Sequence, residues 1–242
     1  DLHLSLRRQR QMCIRDSACT VLGVVMERIA YKPLRNASSS LAVLITAIGV
    51  SYLLQNVALL IFGANAKTFP SVIKWKGISV AGGELKISGE TIVTIVVCVV
   101  IMVVLMAFVQ KTKPGQAMRA VSEDRGAAQL MGINVNGTIA LTFAIGSGLA
   151  AVAGVLLCST YPSLTPYTGA MPGIKAFVAA VFGGIGSIPG AFIGGILLGL
   201  IEIFSKAYIS SQMADAIVFA VLIVVLLVKP TGLLGKQIQE KV

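Results

Sequence analysis

Residues Thr91–Gln110 read TIVTIVVCVVIMVVLMAFVQ, and Lys111–Gly137 follow as KTKPGQAMRAVSEDRGAAQLMGINVNG. The first stretch contains no charged residue. Roughly 20 mostly apolar residues in a helix cross the hydrocarbon core of a bilayer. A helix in a soluble core keeps a polar face, and this one has none. The second stretch is polar and basic and carries helix signals. Alternation of these two textures decides the fold: helices that sit in lipid, joined by loops that do not.

Working outward, Ser40–Gly63, Thr138–Thr160, Pro189–Ser205 and Ala214–Val228 each approach or meet the spanning length. Gly173–Gly184 is shorter and could be a half-span, although the charge of the tail favours a full crossing. Hydrophobic residues make up 56% of the chain and charged residues 12%, against about 25% charged in a soluble domain. The expected fold is all-α, a polytopic transmembrane helical bundle of about six spans or half-spans. From Ala18 the chain is apolar for only about ten residues before Glu27 and Arg28, too short to cross. It reads as the remnant of an earlier helix. Asp1–Ser17, DLHLSLRRQRQMCIRDS, is basic without an apolar centre and so is no signal peptide. Residues 1–17 are expected to be non-native or disordered, and residues 18–242 to form the membrane domain.

The formal net charge is +10. Its basic residues are spread over several loops without interleaved aromatics, which argues against nucleic acid and for positive loops on the cytoplasmic side. Three basic segments then lie in the cytoplasm: Arg28–Ser39, Lys111–Gly137 and the tail with Lys229, Lys236 and Lys241. Ser40–Gly63 runs outward, Thr91–Gln110 returns and Thr138–Thr160 runs outward again. If Gly173–Gly184 crosses fully, the tail ends inside. The outer loop Ala64–Glu90 shows Ile78–Ala81 and Glu84–Ser88 around Gly82–Gly83, which predicts a hairpin with a two-residue turn. Cys13, Cys19, Cys98 and Cys158 have neither zinc nor redox spacing, and no metal or cofactor is expected.

Ser187, Ala191, Gly195 and Gly199 recur every four residues, with Gly190 and Gly194 in a second line beside them. Small residues at this spacing let membrane helices pack closely. The preceding GGIGSIPG, Gly183–Gly190, cannot continue a stable helix. Broken backbone at membrane depth is tolerated where protein buries it or where it lines a watery cavity. Gly183, Gly184 and Pro189 therefore mark either a tight loop or a translocation path. Polar groups in the spans are few. Gln55, Asn56 and Glu202 are path candidates, since an ionisable or polar group at depth needs a reason. Glu202 could instead pair with Lys206 one turn on.

In Lys111–Gly137, Lys113-Pro114-Gly115 breaks the preceding helix, and Gln116–Val121 has good helix formers. Ser122 is the expected N-cap of a second short helix, with Glu123 and Asp124 in its first turn and Arg125 at the third position. Ala127, Ala128, Leu130 and Met131 supply an apolar patch, and Gly132 the C-terminal stop. A short helix of this kind, flanked by Arg119, Glu123, Asp124 and Arg125, suits a groove on a partner better than a lipid surface, for which its charge is too mixed.

At these residues a resemblance emerges. RAVSEDRGAAQLMGINV resembles the cytoplasmic coupling segment of the branched-chain amino-acid ABC transporter permeases of the LivH type. So do ERIAYKPLR at Glu27–Arg35, ITAIGVSYLLQNVALLIFG at Ile45–Gly63, AFVAAVFGGIGSIPGAFIGGILLGLIE at Ala176–Glu202 and VLLVKPTGLLGK near the C-terminus. The resemblance is collinear from about Ala18 to Lys236. It implies a multi-pass permease of a bacterial or archaeal cytoplasmic membrane. That permease is paired with a second, LivM-type permease, driven by two cytoplasmic ATP-binding subunits and supplied with leucine, isoleucine or valine by a periplasmic binding protein. Family members carry further membrane helices ahead of this region, so it also implies an N-terminally truncated chain. Arg119, Ser122, Glu123, Asp124, Arg125, Ala127, Ala128 and Gly132 would sit in a cleft of an ATP-binding subunit. The absence of a GxxxxGK[ST] loop agrees with hydrolysis in a partner.

Other classes fit less well. A passive channel would need a charged ring or a carbonyl filter sequence. An intramembrane enzyme would need paired carboxylates or a His/Cys constellation at depth, whereas the only histidine is His3. A permease for another small solute, such as other amino acids, amides or a sugar, shares the same sequence logic.

Overall fold

The computed structural model describes residues 17–33, 40–68, 78–80 and 85–235. The expectation for Asp1–Ser17 falls almost wholly outside them. Residues 17–26 form α1, which runs into a π-helical turn at Glu27–Tyr31. Then follow α2 (Ser40–Phe62), β1 (Lys67–Thr68), β2 (Ile78–Val80), β3 (Leu85–Ile87), α3 (Gly89–Lys111), α4 (Lys113–Glu123) and α5 (Arg125–Leu130). The remaining elements are α6 (Val135–Thr160), β4 (Ser163–Leu164), α7 (Ala170–Gly183), α8 (Ile188–Tyr208) and α9 (Ala214–Val228). The described residues thus form an all-α membrane-type fold with two small strand pairs.

Apolar run length decides where the helices lie, and capping decides where they start. α6 begins three residues ahead of the expected Thr138 because Asn134 caps it, its Oδ1 accepting from the Gly137 amide at 3.0 Å. α8 begins at Ile188 because Ser187 Oγ accepts from the Gly190 amide at 3.2 Å. Pro189 then occupies the first turn, where its missing N–H removes no helical bond. Four helices, α2, α3, α6 and α8, are long and apolar enough to cross a bilayer. α7 and α9, with 14 and 15 residues, reach only about 21–22 Å at the helical rise, short of a roughly 30 Å core. Side chains such as Leu60 of α2 and Val104 of α3 stand exposed, as lipid-facing groups do.

The chain divides into two compact units, one from Asp1–Val97 with Phe108–Tyr167 and the other from Cys98–Ala107 with Thr168–Val242. In the first, α1 lies on α6. Gly23 faces Ser147 so closely that an added Cβ would come within 2.6 Å of the Ser147 Cβ. The Tyr31 and Phe143 rings lie 4.9 Å apart. β1 pairs antiparallel with β4, Lys67 opposite Leu164. This small ladder joins the segments that follow α2 and α6, in keeping with two helices running the same way. β2 and β3 form the expected hairpin with Ile78 opposite Ile87 and Val80 opposite Leu85. Four residues, 81–84, separate the strands rather than two; they lie outside the described residues.

The second unit is built on α7, α8 and α9. Val178 and Phe182 of α7, Leu198 of α8 and Val218 of α9 form its buried core. Gly190 and Gly194 are buried against α7: an added Cβ at Gly194 would lie 2.5 Å from the Ala179 carbonyl oxygen, and at Gly190 2.5 Å from that of Gly183. The second of the two expected small-residue lines is therefore the packed one. Gly195 makes only ordinary contact with Ala179, and Gly199 has nothing within 4 Å. The two lines lie about 100° apart around the helix, so only one can face α7.

Residues 183–190 are the expected break. Gly184 takes φ +108, a conformation open to glycine but strained for other residues. The segment after α9 closes over it: the Leu233 and Leu234 amides donate to the Phe182 and Gly183 carbonyls, each at 2.9 Å. A Cβ on Gly184 would run into the Gly235 backbone. The turn through Gly183, Gly184 and Pro189 is thus closely packed by the segment after α9. Gly194→Leu is expected to lower the thermal unfolding midpoint of the detergent-solubilised protein, overpacking costing about 1–3 kcal/mol. Gly199→Leu is expected to leave it unchanged, and equal effects would contradict this choice of face.

Candidate functional site

Between α3 and α6 the chain leaves its apolar spans for α4 and α5. Thr112 opens α4: its Oγ1 accepts from the Gly115 amide at 3.2 Å and donates to the Phe108 carbonyl at 2.6 Å. Pro114 lies in the first turn. Gly115 sits on the end of α3, where an added Cβ would fall 2.5 Å from the Val109 Cα. One side of α4 is therefore fixed against the membrane helices, with Gly115 and Val121 buried. The other side exposes Gln116, Arg119, Ser122 and Glu123.

The break between the two short helices lies at Asp124, not Ser122. Asp124 Oδ1 accepts from the Gly126 amide at 2.7 Å and the Ala127 amide at 3.1 Å, capping α5. Ser122 and Glu123 belong to the last turn of α4, where Ser122 Oγ donates back to the Arg119 carbonyl at 2.8 Å. Arg125 thus takes the first helical position rather than the third. Aspartate wins because an ionised acceptor binds two amides at a helix start, and the helix dipole adds to the attraction. At the far end Gly132 adopts φ +79. Its amide bonds the Gln129 carbonyl and that of Ile133 bonds Ala128, the paired pattern of a glycine-terminated helix.

The outcome is a presented surface. Ala128 is buried and anchors α5, while Ala127 beside it is exposed. Leu130 and Met131 are 90% and 83% exposed at its tip. Arg119, Glu123 and Arg125 are exposed around them and make no ion pair among the described residues. A cleft of about 300 Å³ separates α5 from the start of α6, lined by Arg125, Gln129, Asn134 and Asn136. Apolar groups held out in water beside unpaired charges resemble the centre and rim of an interface.

The other expected residues lie elsewhere. Gln55 donates to Ser51 Oγ at 3.3 Å and Asn56 to the Tyr52 carbonyl at 2.8 Å, both within α2. Glu202 accepts from Lys206 at 2.6 Å, as the spacing allowed, and also from Lys175 of α7 at 2.8 Å. Lys175 in turn reaches Asp215 of α9 at 2.7 Å. Lys175 and Asp215 were missed by sequence reading. A carboxylate inside a span was itself the signal to seek opposite charge on neighbouring helices. Glu27, at the end of the short apolar run, is buried in the π-helical turn and has a partner.

Four helices of spanning length, two of them joined through an exposed polar helix pair, fit a polytopic membrane protein. Residues 18–226 match the family described as branched-chain amino acid transport system / permease component, and the chain belongs to that family. It is similar to the high-affinity branched-chain amino acid transport system permease protein LivH of Salmonella typhimurium. The two are 47% identical over 222 residues, 91% of this chain and 72% of that protein. The LivH of Escherichia coli K12 is 46% identical over the same shares. BraD of Pseudomonas aeruginosa, likewise named a high-affinity branched-chain amino acid permease protein, is 45% identical over 92% of this chain and 73% of its own length. No solved structure matches the chain. The protein is a multi-pass membrane permease component, not an enzyme.

Asp124→Ala is expected to raise amide hydrogen exchange at Gly126 and Ala127, loss of such a cap costing about 1 kcal/mol. Ser122→Ala is expected to leave those amides as they were. The reverse ranking would restore Ser122 as the cap.

Proposed function

We propose that this chain is a permease subunit of an ATP-driven importer of branched-chain amino acids in a prokaryotic cytoplasmic membrane. It works beside a second permease, above two ATP-binding subunits, and receives solute from an extracytoplasmic binding protein. The substrate class rests on the names of relatives near 46% identity. The coupling role rests chiefly on one observation: the exposed α4–α5 pair, anchored by Gly115, Val121 and Ala128 and tipped by Leu130 and Met131.

In this reading α5 enters a cleft of an ATP-binding subunit. Leu130 and Met131 supply apolar contact, and Arg119, Glu123 and Arg125 supply complementary charge. Ser122, Asp124, Ala127 and Gly132 shape the surface. α4 carries the load, because Gly115 rests on the end of α3 and α4 packs on α6. A displacement of α5 therefore reaches two long helices through close packing. Opening to one side and then the other is a two-state equilibrium that ATP and loaded binding protein bias. The path for solute runs between the two permeases. Gln55 and Asn56 are its proposed polar markers in this chain, since each amide keeps bonding capacity beyond its one bond within α2.

Exchanging the charges by Glu123→Arg with Arg125→Glu is expected to abolish leucine uptake in cells that supply the partners, with the membrane level of the protein unchanged. Normal uptake by that variant would remove the coupling role. Substrate class is read in the same cells by competition. Unlabelled leucine, isoleucine and valine are expected to suppress labelled leucine uptake, and ribose and lysine are not. Suppression by ribose or lysine instead would move the chain to another cargo.

A further inference from the structure

Four charged side chains form one chain across the second unit. Lys206 meets Glu202 at 2.6 Å, Glu202 meets Lys175 at 2.8 Å, and Lys175 meets Asp215 at 2.7 Å. The signs alternate and sum to zero. The two inner members, Glu202 and Lys175, are the less exposed and have two partners each; the two outer ones have one each. Lys175 stands on α7, Glu202 and Lys206 on α8, and Asp215 on α9. The ionic chain therefore joins α7, α8 and α9.

Its position along those helices matters. Asp215 is in the first turn of α9, and Glu202 lies about 9 Å before the end of α8 by helical rise. The glycine contacts and the Leu233 and Leu234 bonds hold the opposite end, at Phe182–Gly190. Between the two ends lies an apolar core, Val178, Leu198 and Val218 with partly buried Ala179, Ile201 and Leu222 packed against it. Apolar packing between membrane helices has no hydrophobic driving force in lipid and leaves sliding open. Directed ion pairs at one end and interdigitated backbone at the other remove that freedom.

We propose that Lys175 is a positioning residue for transport. Through Glu202 and Asp215 it clasps α7, α8 and α9 at the end away from the glycine turn, so that the three helices move as one body. This assigns Glu202 to the clasp rather than to a solute path. The link to transport rests on the permease reading above, whereas the clasp itself does not.

The test separates charge balance from positioning. Lys175→Met leaves a carboxylate in excess, whereas Lys175→Met with Asp215→Asn restores neutrality and keeps Glu202 paired to Lys206. In the purified permease in nanodiscs, hydrogen exchange is expected to rise at least about fivefold in the first turn of α9 in both variants. The Leu233 and Leu234 amides are expected to stay as protected as in the parent protein. Unchanged exchange in α9, or an equal rise at both ends, would overturn the clasp. In cells, the neutral double variant is expected to reach the membrane normally yet take up leucine about tenfold more slowly, and Lys175→Arg to stay within about twofold of the parent. Full uptake by the double variant would reduce Lys175 to charge compensation and overturn the positioning role. Should Lys175→Met not reach the membrane, Asp215→Asn alone is measured: faster exchange in the α9 first turn supports the clasp, and unchanged exchange contradicts it. A parent protein that takes up no leucine but loses α9 protection in these variants would fail the transport reading and leave the clasp standing.

Discussion

Hydrocarbon offers a backbone no hydrogen-bond partner, so each peptide group in it must be satisfied from within the protein. The whole architecture answers to that constraint. It turns the long apolar stretches into helices and confines β structure to short pairs in the connections. It also explains why the one break at Gly183–Gly190 is filled: the Leu233 and Leu234 amides meet carbonyls at the end of α7 that no helical partner reaches. The same constraint makes charge at depth costly, and Lys175, Glu202, Lys206 and Asp215 on α7, α8 and α9 are each met by an opposite charge.

Within this frame the protein separates two kinds of surface. Along α2 and α3 the large exposed groups are mostly apolar, as lipid or a second membrane protein requires, with Asn56 a polar exception on α2. At α4 and α5 the exposed groups are charged and polar around a small apolar tip. Three anchors, Gly115 on α3, Val121 and Ala128, hold that pair in place, so its exposure is imposed by packing. A surface braced in this way can transmit displacement, as the proposed coupling to an ATP-binding subunit requires.

Much of this was legible in the residues. Apolar run length located the helices, and in α9 it matched both ends, because Lys229 follows Val228 directly and ends the apolar run. Capping was harder. Ser122 and Asp124 are both good cap types two positions apart, and the choice turned on which acceptor could reach two amides. Gly194 and Gly195 are equally small, and only the direction of α7 decides which of them is buried. The pairing of Lys175 with Glu202 and Asp215 joins residues up to 40 positions apart on three helices. Local spacing revealed only the Glu202–Lys206 pair, and the rest needed the fold.

The central claim is that α5 is a docking surface for an ATP-binding subunit. It is tested most directly by site-specific photocrosslinking in membranes that contain the assembled transporter. A photoreactive residue in place of Leu130 or Met131 is predicted to crosslink to the ATP-binding subunit in high yield. One in place of Lys67, in the β1–β4 pair, is predicted to give no such product. Equal yields from the two regions, or products with lipid alone at Leu130 and Met131, would contradict the account.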